Sequence, residues 1–97
     1  MEFEGYIKFP KTDKYKIYLS SDDGSRIFID NKEILINDGI HGIEEEKETE
    51  IIVQKGFHKI KIEYFQVGYG KGLNIKIESS SFSKKNIPRS WYFREVQ

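Results

Sequence analysis

Two adjacent carboxylates, Asp22 and Asp23, stand in the segment "SSDDGSRIFID" directly before an alternating apolar run. Neighbouring like charges repel and aspartate disfavours strands, so the pair needs something to hold it. A cation would do so, and a cation with open coordination positions can in turn hold a ligand. The backbone N–H groups of a turn would also do so, with no ligand involved. The residues alone leave both readings open. Calcium takes about six to eight oxygens, so two carboxylates do not complete a site. Asn37 and Asp38 in "NDGIHG", with loop carbonyls, are the candidates to complete it, and His41 lies in the same loop. Tyr69 stands between Gly68 and Gly70 in "VGYGKG", with little local packing of its own. Its ring offers a flat apolar face with a hydroxyl handle, a platform for stacking.

These residues need a scaffold, and the dominant period in the chain is two. Phe3, Gly5, Ile7 and Phe9 alternate with polar neighbours, as do Tyr15, Ile17 and Leu19, then Ile27 and Ile29. Further on, "EILI", "TEIIVQ", "HKIKIEY" and "LNIKI" continue the series. Such short isoleucine- and aromatic-rich runs between turn residues predict an all-β fold, an antiparallel β-sandwich of about seven to nine strands. Ile17, Leu19, Ile27, Ile29, Ile60, Ile62 and Ile75 are its expected core. In the tail, Ile87, Trp91 and Phe93 are expected to return and cover an edge or one end of the core.

The connections are of two kinds, and they alternate along the chain. "KTDK", "DNK" and "KG" read as tight hairpins, whereas "SDDGS", "NDGIHGIEEE" and "QVGYGKG" are longer and chemically richer. In an antiparallel arrangement every second connection lies at the same end. Asp22, Asp23, Asn37, Asp38, His41 and Tyr69 are therefore expected to share one rim.

Bulk properties exclude several functions. Of 97 residues, 16 are basic and 16 acidic, which gives no net charge to attract nucleic acid or an anionic membrane surface. With no cysteine there is no disulfide framework, thiolate metal site or cysteine nucleophile. No apolar run approaches the ~20 residues that span a bilayer, and the N-terminus has no signal-peptide pattern. His41 and His58 belong to different elements, no nucleophile elbow is present, and "VGYGKG" lacks the Lys-Ser/Thr and helix of a phosphate loop. The expectation is a non-catalytic domain. His58, inside an alternating strand, is assigned to packing or hydrogen bonding.

The segment "GYIKFPKTDKYKIYLSSDDGSRIFIDNKEIL" resembles the protective-antigen-type domain, or "PA fourteen" module. The matching positions are Gly5, Pro10, Tyr15, Ser21, Asp22, Asp23, Gly24, Ser25, Arg26, Ile29 and Asp30. Downstream, "QKGFHKIKIEYF" is similar to another strand of that family through Gly56, His58, Ile60, Ile62, Tyr64 and Phe65. Asn31 stands where the family often has glycine, a mild departure because asparagine tolerates positive φ.

The resemblance covers nearly the whole chain and implies one β-sandwich domain over residues 1–97, carried as a module of a longer chain. Members occur in the anthrax toxin pore-former, in yeast flocculins and adhesins, and appended to bacterial glycoside hydrolases. Many bind carbohydrate. In the adhesins the Asp-Asp peptide is cis and its carboxylates hold a calcium ion that coordinates sugar hydroxyls. The matching positions here are Asp22 and Asp23. The resemblance thus implies a calcium-assisted, carbohydrate-binding accessory module of an exported glycoside hydrolase (hexosaminidase- or glucosidase-like) or adhesin. It would be periplasmic, cell-surface or secreted, with glycan and a catalytic domain of the same chain as partners. The alternative is a structural module that packs against a catalytic domain and binds no sugar.

Overall fold

A computed structural model describes residues 2–21, 24–37, 46–64 and 73–94. Nine strands follow in chain order: β1 Glu2–Phe9, β2 Asp13–Ser21, β3 Ser25–Ile29, β4 Lys32–Asn37, β5 Glu46–Val53, β6 Gly56–Tyr64, β7 Leu73–Ser79, β8 Phe82–Asn86 and β9 Tyr92–Arg94. They build two antiparallel sheets, one ordered β4-β3-β6-β1-β9 and the other β5-β2-β7-β8. The expected β-sandwich is present. A single 3-10 turn, Arg89–Trp91, accounts for the helical residues described.

The period-two pattern explains the layers, because alternate side chains of a strand point to opposite faces. Ile7, Phe9, Tyr15, Ile17, Leu19, Ile27, Ile60 and Ile77 meet between the sheets, each no more than 1% exposed. Burying side chains of this size contributes about 1.5–3 kcal/mol apiece. Phe9 sits among rings, 4.9 Å from Tyr15, 5.4 Å from His58 and 6.3 Å from Trp91 between centroids.

Three expectations need correction. "DNK" is a true hairpin: Asp30 (φ 54°) and Asn31 (φ 66°) form a two-residue turn of the kind that matches strand twist. "KTDK" and "KG" are equally short but join strands of different sheets, β1 to β2 and β5 to β6. They arch across the sandwich because β1 and β6 pair with each other, leaving β2 and β5 to pair in the opposite layer. Ile75 is only half-buried, whereas Ile77, in the middle of the β2–β7 pairing, is fully enclosed. In the tail, Ile87 is buried and Trp91 packs on Phe9 and Phe82 as expected, but Phe93 faces solvent. Register decides this: Tyr92 pairs with inward-facing Ile7, so Phe93, opposite Tyr6, points outward to meet Phe57.

Gly5 admits this last strand. A Cβ there would meet the backbone carbonyl of Phe93, and backbone cannot swing aside as a flexible side chain can. Gly5→Ala is expected to push β9 off β1 and to destabilise the fold by roughly 1–3 kcal/mol, the usual cost of overpacking. Hydrogen exchange should show lost amide protection at residues 92–94; unchanged protection and melting temperature would overturn the assignment.

Candidate functional site

Register gathers the strand ends that lead into the three long connections. In the five-stranded sheet, Ser25 pairs with both Asn37 and Tyr64. In the four-stranded sheet, Ser20 pairs with Glu46 and Ser21 with Leu73. The ends flanking residues 22–24, 38–45 and 65–72 therefore lie together at one end of the sandwich, and each of these connections passes from one sheet to the other. The links at 10–12, 30–31 and 54–55 lie at the opposite end.

What lies beneath this rim differs from the rest of the interior. The buried polar residues described are Ser20, Ser21, Ser25 and Asn37, and all four belong to these strand ends. A buried polar group is costly unless hydrogen-bonded, so such a cluster persists where it fixes geometry. The Ser21 and Ser25 hydroxyls meet at 2.7 Å, one donating to the other. That bond closes the step from β2 to β3 on either side of Asp22 and Asp23, and anchors both ends of the acidic link. Asn37 is fully buried, and its Nδ2 donates to the Leu19 carbonyl at 3.1 Å, tying β4 to β2 across the two sheets.

Of the six predicted site residues, Asn37 is the one described, placed at the root of the second long connection with its amide turned inward. Asp22, Asp23, Asp38, His41 and Tyr69 lie outside the described residues, as does the peptide joining the two aspartates. Among the described residues no three histidine, aspartate or glutamate side chains converge as a metal cluster. Nor is any helix among them long and apolar enough to cross a membrane. Sequence reasoning gave Ser21 and Ser25 no role of their own. The available signal was their symmetric placement around Asp-Asp-Gly, with a spacing that lets two hydroxyls meet once the chain changes sheet.

His58 serves the opposite end, in the hydrogen-bonding role expected of it. Its Nδ1 lies 2.7 Å from Asp30 Oδ2 and its Nε2 lies 2.8 Å from the Gln54 carbonyl oxygen. Both partners are acceptors, so the doubly protonated imidazolium satisfies the site best. Burial works against that charge, but the bonds to Asp30 and Gln54 outweigh it and hold the imidazole above its usual pKa. A raised folded pKa gives stability that is complete below the unfolded value near 6.5 and is lost as pH rises through the folded one. Thermal stability is therefore expected to be higher at about pH 6 than at a mildly alkaline pH, and Asp30→Asn to flatten that slope. Melting curves at the two pH values check it; an identical slope in the variant would break the assignment.

Known proteins bear on this geometry in two ways. No curated protein matches the chain. Among solved structures, an "anti-sigma factor domain-containing protein" superposes with a TM-score of 0.88 at 25% identity, over 97% of this chain and 33% of that one. A second protein so described, from Clostridium clariflavum, gives 0.86 at 26% identity, over 99% of this chain and 32% of that one. The chain thus spans about a third of the length of the structures it matches. A family model described as "PA14 domain" matches residues 1–91, and that family comprises non-catalytic carbohydrate-binding and accessory modules. Coverage of this extent, on a sandwich with the strand order and rim just described, makes the chain a member of the PA14 domain family.

Proposed function

We propose that the protein is a non-catalytic, calcium-assisted carbohydrate-binding module acting at the rim where its three long connections begin. The observation that carries this reading is the buried group of Ser21, Ser25 and Asn37, which concentrates interior polarity directly under that rim. Asp22 and Asp23 are the calcium ligands in this proposal. Asp38, His41 and Tyr69 are its glycan contacts, with Asn37 holding the base of their loop. Calcium neutralises the adjacent carboxylates and leaves open positions for vicinal sugar hydroxyls. Binding supplies proximity: a module held on polysaccharide raises the effective concentration of whatever its chain carries. The setting proposed is an exported chain bearing a glycoside hydrolase or adhesin domain.

The solved structures favour a second setting for the same module. Both matching proteins contain an anti-sigma factor domain. On such a chain, glycan occupancy would serve as an input to regulation rather than as a tether. Calorimetry with calcium, followed by titration with a panel of oligosaccharides, tests the binding reading common to both settings. Heat on calcium addition and calcium-dependent glycan binding are the expected results. A folded domain that takes up neither would instead be a structural or interaction module.

A further inference from the structure

Alternation marks Phe3, Leu73 and Ile75 as inward-facing, yet none is fully buried. The cause lies in the two short edge strands. β9 pairs with β1 only over Gly5–Ile7, and β8 pairs with β7 only over residues 76–79. Phe3 on one sheet and Leu73 and Ile75 on the other fall beyond their reach. The result is a cleft of about 570 Å³ between the sheets, lined by these three residues with Ile62 and Tyr92.

The cleft is apolar with a few convergent polar groups, the usual composition of a small-molecule site, and its volume lies in the usual range. Arg89 and Arg94 line its exposed margin. Lys14, Lys61 and Lys84 all have carboxylate partners elsewhere, but neither arginine forms an ion pair among the described residues. The Tyr92 hydroxyl likewise has no hydrogen-bond partner among them, and burial alone pushes its pKa up to about 12. Two guanidinium forks without an ion-pair partner among the described residues, set beside an apolar trough, are complementary to a carboxylate on a hydrophobic body.

We propose that this cleft, which opens between the sheets beside the rim at Leu73, is a second binding site, independent of calcium, for a small hydrophobic carboxylate. The apolar body would lie on Phe3, Leu73 and Ile75, and the carboxylate would pair with Arg89 and Arg94.

The test uses 1-anilinonaphthalene-8-sulfonate as a fluorescent anionic reporter in the presence of EDTA. It is displaced by 3-phenylpropionate or by its neutral amide. Displacement by the acid is expected to be roughly tenfold more effective than by the amide, the worth of one good charge-assisted contact. Arg89→Ala and Arg94→Ala should each narrow that ratio. Ile75→Trp should fill the trough and abolish reporter binding while near-ultraviolet dichroism shows a folded protein. Should that variant not fold, amide chemical shifts of the wild-type protein with 3-phenylpropionate decide, and should move at residues 73–75 and 92. No reporter binding, equal displacement by acid and amide, binding that survives in folded Ile75→Trp, or shifts confined to other residues would each overturn the proposal. Because EDTA is present throughout, failure here is separate from failure of calcium binding at the rim.

Discussion

Phe9→Ala is expected to cost about 3–5 kcal/mol, the range for emptying an aromatic site in a packed core. The ring is wholly enclosed and contacts residues from three different parts of the chain: Tyr15 on β2, His58 on β6 and Trp91 in the closing turn. Each of these neighbours is itself anchored. Tyr15 donates its hydroxyl to the Lys11 carbonyl, His58 is held between Asp30 and Gln54, and Trp91 lies against Phe82. The hole therefore cannot collapse cheaply, which places the effect toward the upper end of the range. Domains of this size hold about 5–15 kcal/mol in total and lose roughly 4–8 °C of melting temperature per kcal/mol. A drop of roughly 12–40 °C in calorimetry, or outright loss of the folded state, is the expected result. A loss below about 1 kcal/mol would mean that the ring packing is not as described.

The second large effect concerns the rim. If Asp22 and Asp23 hold calcium, the ion at a hundred times its dissociation constant should stabilise the domain by about 2.7 kcal/mol. That corresponds to a rise of roughly 10–20 °C at this chain length. Asp23→Ala is expected to remove this increment and the glycan binding with it. The melting temperature in EDTA should hardly change, because the Ser21–Ser25 bond and the Asn37–Leu19 bond that shape the strand ends remain. Scanning calorimetry with and without calcium distinguishes the cases. A variant that keeps the full calcium shift would exclude Asp23 as a ligand. A wild-type protein without any shift would leave the pair as a turn whose carboxylates accept backbone N–H bonds.

The Asp30–His58 contact illustrates how the two recognisable parts of the sequence fit together. One aspartate closes "SSDDGSRIFID" and the histidine opens "HKIKIEY", far apart in the chain but adjacent across the β3–β6 pairing. The interaction braces the end of the sandwich opposite the rim, in line with the packing or hydrogen-bonding role expected of His58.

The class of fold, and the gathering of the rich connections at one end of it, were legible in the residue pattern alone. Both follow from local rules: side chains alternate with period two along a strand, and antiparallel succession sends every second link to the same end. Positive φ at Asp30 and Asn31 was equally local, since only a few residue types accept it. Tertiary structure alone decided which strands share a sheet, because pairing between strands is a choice among competing partners that no local pattern encodes. It thereby turned two expected hairpins into arches, and it set the register that sends Tyr92 inward and Phe93 outward. The lengths of β8 and β9 were decided in the same way, and with them the half-buried state of Ile75 and the cleft beside it. The polar cluster under the rim is also a tertiary product. Ser21, Ser25 and Asn37 become a buried network only when the ends of β2, β3 and β4 meet, because burial and hydrogen-bond partners arise from that meeting and not from residue type.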